Sequence, residues 1–144
     1  MSLHGSYDPD NIFAKILRGE APAIVVHDDA EALAFLDIFP QSRGHTLVIP
    51  KGVNARNFLE LPAERVGSYM TRVQRVAQAV TRALSPDGVI VTQFNGAPAG
   101  QTVFHLHFHI IPRWEGVALK GHGQAPKADM DDLQATAAAI RAAF

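Results

Sequence analysis

His105-Leu106-His107-Phe108-His109-Ile110-Ile111 places three histidines at alternate positions, with large apolar residues between them. A β-strand has a side-chain period of two. An extended chain here therefore turns the imidazoles to one face and the apolar set to the other. The stretch reads as the end of a strand from Val103 to Ile111, entered through a small-residue loop, Asn95 to Thr102. Val89 to Gln93 is a second strand, making a hairpin. Before it the period changes. Val66, Tyr69, Met70, Val73, Val76, Ala77, Val80 and Leu84 trace one face of a helix running from about Pro62 and stopped by Ser85-Pro86-Asp87-Gly88. Upstream, His45 to Ile49 is β-rich, and Ala23–His27 and Ala32–Asp37 form a hairpin about Asp28-Asp29. Asp10 or Asn11 caps a short helix that reaches Leu17, with Gly19 as its stop.

The order α-β-β-β-α-β-β-α with hairpin-length links predicts an α+β fold: an antiparallel sheet of about five strands, one long helix, a short N-terminal helix and a C-terminal helical tail. Residues 1–10 are expected to be disordered or tag-like, 11–114 to form the domain, and 115–144 to be an extension with a candidate helix from Asp129.

At 144 residues the chain is one domain by size. Thirteen basic against fourteen acidic residues leave a net charge of −1, so no global field draws it to nucleic acid or membrane. Any anion it binds must be held locally. Zero cysteines exclude disulfides, thiolate catalysis and thiolate zinc sites, and fit a cytoplasmic protein. Met1 to Ser6 has neither a basic segment nor a long apolar run, so it reads as neither signal nor anchor.

Three aligned imidazoles admit two chemistries. Neutral imidazole is a good zinc ligand, but residues two apart on a strand lie about 6.6 Å apart. One tetrahedral ion needs its nitrogens within about 2.1 Å, so a single metal takes two of the three with an outside ligand such as His45. No acidic residue lies within the strand to complete the set. The other chemistry is nucleophilic attack on phosphorus, with one imidazole nitrogen attacking while the other donates its proton to a fixed acceptor. The glycine-containing loop before the strand suits an anion, which makes Asn95, Gly100, Gln101 and Thr102 candidate phosphate-binding residues.

With Ala99-Gly100-Gln101-Thr102-Val103 before it, the heptad resembles the defining pattern of the histidine-triad (HIT) superfamily. The likeness extends to Ile12-Phe13-Ala14-Lys15-Ile16, Ala34-Phe35-Leu36-Asp37-Ile38 and Gly44-His45-Thr46-Leu47-Val48-Ile49-Pro50-Lys51, and is greatest to the Hint branch of nucleoside phosphoramidases and nucleotide hydrolases. The resemblance implies that His107 attacks the α-phosphorus and carries a nucleotidyl intermediate. It implies that His105 and His45 orient His107, and that His109 meets phosphate oxygens or the leaving group. Gly100 and Thr102 would donate to the phosphate. Ile12, Phe13, Ile16, Phe35, Ile38 and Leu47 would enclose the base, and Asp37 would accept the ribose hydroxyls. The implied partner is a purine nucleotide or nucleotide conjugate, the implied assembly a homodimer. No cofactor is required, and adventitious zinc at His107, His109 and His45 is the one metal expected. Two positions depart from the pattern: Phe94 where relatives often carry a phosphate-binding Asn, and Val53 where they carry a His. Trp114 is expected near the site.

Overall fold

The structure, a computed structural model, describes residues 3–144. Its elements are helix α1 (Ile12–Leu17), strands β1 (Val25–Asp28), β2 (Ala32–Leu36) and β3 (Thr46–Pro50), helix α2 (Ala63–Leu84), strands β4 (Gly88–Thr92) and β5 (Phe108–Arg113), and helix α3 (Met130–Ala142). Short 3-10 turns occupy Phe58–Glu60 and Ala97–Ala99. The five strands form one antiparallel sheet in the order β1-β2-β3-β5-β4. This is the expected α+β fold.

β2 and β3 are buried on both faces, so they read as unbroken apolar runs. On one face α2 supplies Tyr69, Val73, Val76 and Val80 against Ala34, Val48, Leu106 and Ile110. The Tyr69 hydroxyl donates to the Val48 carbonyl at 2.7 Å and ties helix to sheet. The other face carries Leu33, Phe35, Leu47 and Ile49 and is covered by Phe13 of α1. The Asn11 side chain caps α1 by accepting from Ala14 N–H. Gly44 has φ +85°, and an added Cβ would collide with Leu84 Cδ1, so the turn between β3 and the end of α2 favours glycine.

One expectation is corrected. The histidine strand begins at Phe108, and Val103–His107 is irregular. The next partners along β3 would be Ile49 and Pro50, and proline has no N–H for a ladder. The chain bends instead, and Leu106 N–H bonds the Ala55 carbonyl. The alternation survives the bend, since Leu106 and Ile110 remain in the α2-side core. Residues 3–10 are exposed apart from half-buried Tyr7, and two hydrogen bonds tie them to the domain: the Leu3 carbonyl accepts from Asn57 Nδ2, and Tyr7 reaches His105. Residues 1–2 lie outside the described residues. The expected C-terminal helix is present as α3, with Leu133, Ala137 and Ile140 buried in the core.

Of the sheet's two edges, β1 meets α3, and the Arg141 guanidinium donates to the Val25 carbonyl. β4 leaves Val89 and Val91 exposed. No helix among the described residues is long and apolar enough to cross a membrane.

Candidate active site

Sheet register builds the site. Phe35 pairs with Leu47, and Leu47 with His109, so one rung across β2, β3 and β5 sets two apolar side chains beside an imidazole. Two residues along on the same face, Asp37 and His45 follow, joined by Asp37 N–H to the His45 carbonyl at 2.9 Å. The rung opens into a cavity of about 610 Å³. Ile12, Phe13, Ile16, Phe35, Ile38 and Leu47 all border it, as do Asp37, His45, His107 and His109. Trp114 does not; it packs against the α2-side core.

His107 owes its state to a carbonyl. Its Nδ1 lies 2.7 Å from the His105 main-chain oxygen, which can only accept, so Nδ1 carries the proton and Nε2 the lone pair. Burial pushes its pKa down to about 4, and the His122 charge adds to this. The ring is therefore neutral at pH 7. The part of His105 that meets His107 is its backbone carbonyl and not its ring. The His105 ring turns elsewhere: its Nε2 faces the Pro50 carbonyl at 3.4 Å and its Nδ1 meets Tyr7 Oη at 2.6 Å. Since Pro50 O only accepts, His105 carries its proton on Nε2, and the Tyr7 hydroxyl donates to Nδ1. His105 does not border the cavity, and burial holds it at about 4.

His45 pairs with His109, not with His107. Gln41 N–H donates to His45 Nδ1 at 3.1 Å, which leaves the proton on Nε2. His45 Nε2 lies 2.9 Å from His109 Nδ1, so it donates there and forces the His109 proton onto Nε2. That Nε2–H is buried without a partner among the described residues. A buried donor with nothing to bind is costly, and here it sits on a residue that borders the cavity. Burial lowers His45 to about 4; burial with the charges of His107 and His45 lowers His109 to about 2. Burial raises Asp37, whose Oδ1 accepts from Phe39 N–H while Oδ2 lies 3.7 Å from His45 Nε2.

Three of the four candidate phosphate-binding residues make hydrogen bonds in and around their own loop. Asn95 Oδ1 accepts from Phe58 N–H and Gln93 Nε2. Gln101 spends its amide inside the loop, accepting from Gly96 N–H and donating to the Arg56 and Val103 carbonyls. Gly100 N–H goes to the Ala97 carbonyl. These groups close the loop on itself, and Thr102 alone of the four borders the cavity.

The sequence reading missed Tyr7 and His122. His122 borders the cavity from the tail and donates through Nε2 to the Gly100 carbonyl at 2.8 Å. A lone histidine in a polar glycine-containing segment carries no periodic signal to reveal this. The metal expectation changes too. Asp37, His45 and His109 bring ligand atoms within 4.8 Å of one another, and His107 is outside that group. An ion there would have to break the His45–His109 hydrogen bond.

Residues 18–116 match the HIT domain family. A HIT-like protein of Methanocaldococcus jannaschii is 43% identical over 123 residues, covering 85% of this chain and 94% of that one. An adenosine 5'-monophosphoramidase of Schizosaccharomyces pombe is 44% identical over 102 residues, covering 71% and 73%. The crystal structure of a Hit-like protein from Bartonella henselae superposes with a TM-score of 0.89 at 45% identity, covering 97% of this chain and all of that one. Three imidazoles with assigned tautomers at an apolar cavity, on this sheet and with these relatives, place the chain in the HIT family.

Proposed function

We propose that the protein is a nucleoside phosphoramidase, cleaving a nucleoside monophosphate of the AMP or GMP type from an amine through a nucleotidyl intermediate on His107. The observation that carries this is the 2.7 Å bond from His107 Nδ1 to the His105 carbonyl, which leaves a neutral ring with its Nε2 lone pair free on a residue that borders the cavity.

In this reading the base lies among Phe13, Ile16, Phe35 and Leu47, and Asp37 Oδ2 accepts the ribose hydroxyls. Apolar walls discriminate poorly between purines, which leaves both bases acceptable. His107 Nε2 attacks the α-phosphorus and forms a P–Nε2 bond. The P–N bond to the amine breaks, its electron pair leaves with nitrogen, and that nitrogen takes a proton from solvent. Water then attacks phosphorus and releases one proton, and the P–Nε2 pair returns to His107. His109 Nε2–H and the Thr102 hydroxyl are the donors for the equatorial oxygens, and donors of this kind supply most of the help phosphoryl transfer needs. No step requires a metal. Zinc at Asp37, His45 and His109 would displace the relay that sets His109 as a donor, so it would inhibit.

The relative named an adenosine 5'-monophosphoramidase supports this substrate class. The open edge of β4, with Val89 and Val91 exposed, suits pairing with a second copy, and we read the working form as a cytoplasmic homodimer. The test is turnover of AMP- and GMP-amine conjugates without added metal. Rapid quenching with a slow substrate should show a nucleotidyl mass adduct that peptide mapping places on His107. A folded His107→Ala variant with near wild-type turnover would sink the mechanism.

A further inference from the structure

A second cavity, of about 320 Å³, adjoins the first on the side of the N-terminal segment. Ile12, Thr102 and Val103 border both, so the two share a wall. The second cavity has what the first lacks, a guanidinium. Arg56 borders it at 8% exposure, and its Nη1 is buried with no hydrogen-bond partner among the described residues. No ion pair among the described residues includes Arg56. Buried charges are normally paired, and a fold that leaves one unpaired loses stability by it. Such a local conflict points to a functional group.

The main chain of Arg56 is fixed while its charge is left open. Its N–H donates to Glu60 Oε1 at 2.8 Å, and its carbonyl accepts from Gln101 Nε2 at 2.6 Å. The guanidinium carbon stands 5.0 Å from the centroid of the Phe104 ring, which also borders the second cavity. That contact offsets part of the charge and supplies no oxygen to the N–H groups. Neighbouring polar groups are already engaged. Asn11 spends Oδ1 on Ala14 N–H and Nδ2 on the Asp8 carbonyl, and Asp8 Oδ1 accepts from Asp10 N–H.

We propose that the second cavity binds a small monocarboxylate with an apolar body, held through its carboxylate by Arg56. The proposal is independent of the phosphoramidase reading. A guanidinium matches a carboxylate plane to plane, with two parallel N–H···O bonds. Arg56 and Asp8 are the charged residues on the border among those described. One cation with an acid nearby suits a single negative charge better than the two of a phosphate. Ile12, Val103 and Phe104 offer apolar surface to the body of the ligand. The volume lies at the small end of ligand sites, which run from about 300 to 1,000 Å³, and suits an acid the size of benzoate.

The test is calorimetric titration of the full chain with benzoate, acetate and inorganic phosphate. The wild type should bind one benzoate per chain, more tightly than either of the other two. Arg56 does not border the first cavity, so benzoate lodged there would be indifferent to its replacement. Arg56→Met should weaken benzoate about ten- to hundredfold, the size of a hydrogen bond to a charged group. Urea unfolding confirms that the variant is folded. Arg56→Lys keeps the charge without the planar fork, so it should weaken benzoate as well and serves if the methionine variant does not fold. No binding at millimolar benzoate, or equal affinity in the wild type and the folded variants, overturns the proposal. Phosphate bound more tightly than benzoate overturns the monoanion, and acetate bound as tightly overturns the apolar body.

Discussion

Four imidazoles buried in neutral form should make the fold labile to mild acid, and the effect can be sized. In an unfolded chain histidine protonates near 6.5; here burial holds His45, His105 and His107 at about 4 and His109 at about 2. The folded pKa lies below the unfolded one, so as pH falls the unfolded state binds protons first. Stability is therefore full above about pH 7 and drains away from there toward 4. Between pH 7 and 5 each such histidine removes about 2 kcal/mol, and the four together about 7 kcal/mol, against a typical domain total of about 5–15 kcal/mol. Asp37 acts in the opposite direction, because burial raises it and protonation relieves that cost, but it is one group against four. Asp29, held low by His27, Arg72 and two backbone N–H groups against the cost of its burial, loses its contribution only below the ordinary carboxylate range, outside this window. Urea unfolding at pH 8, 7, 6 and 5 measures the slope directly. His105→Gln keeps a donor for Pro50 and an acceptor for Tyr7, and should remove about a quarter of the pH 7-to-5 loss. A stability that is flat or rises from pH 7 to 5 would refute the assignment of neutral buried rings.

Other substitutions test single contacts. Gly44→Ala forces a Cβ into Leu84 at φ +85° and should cost about 1–3 kcal/mol, read as a lowered melting temperature. Gln101→Ala strands Gly96 N–H and the carbonyls of Arg56 and Val103; a loss of about 2–4 kcal/mol in urea unfolding is expected, with slower adduct formation as the loop loosens. Tyr7→Phe leaves His105 Nδ1 without its donor and should cost about 1–3 kcal/mol by the same measurement. Arg56 is buried over the Phe104 ring at 5.0 Å, and its Nη1 has no acceptor among the described residues. Arg56→Met should therefore be neutral or stabilise the fold by up to about 2 kcal/mol in calorimetry.

The heptad was legible because period-two alternation is a local property. It placed Leu106 and Ile110 in one core and the imidazoles on the opposite side even where the strand itself breaks off. The cavity wall was legible only through resemblance: Ile12, Phe35 and Leu47 read as core by pattern, and what sets them beside His109 is sheet register. Which histidine orients which could not be read from spacing at all. That depends on the group each ring nitrogen meets, and the deciding groups are a backbone carbonyl that accepts from His107 and a backbone N–H that donates to His45. The bonds that Asn95 and Gln101 make were hidden for a related reason. Their amides suit an anion, but a loop of small residues has few groups to hold it shut, and these side chains supply the missing bonds. Tyr7 and His122 sit singly in polar segments, where no periodicity marks a residue that reaches the site.

Acid lability and reactivity follow from one cause. A histidine exposed to water would titrate near 6.5, be partly cationic at pH 7, and lose its nucleophilic lone pair in that fraction. Burying His107 against the His105 carbonyl removes the cation and frees Nε2, yet the same burial makes protonation of the site unfavourable to the fold. His45 and His109 extend the bargain, because a neutral His45 is what donates to His109 Nδ1 and leaves its Nε2–H for the phosphate. Protonating any ring in that chain would turn an acceptor into a donor and break the next bond. Activity should therefore fall on the acid side as a cooperative loss of both the relay and the fold. A pH–rate profile steeper than a single ionisation below pH 6, with its midpoint tracking the unfolding curve, is the expected result. A shallow one-proton profile in a protein still fully folded at pH 5 would separate the two effects and contradict the link.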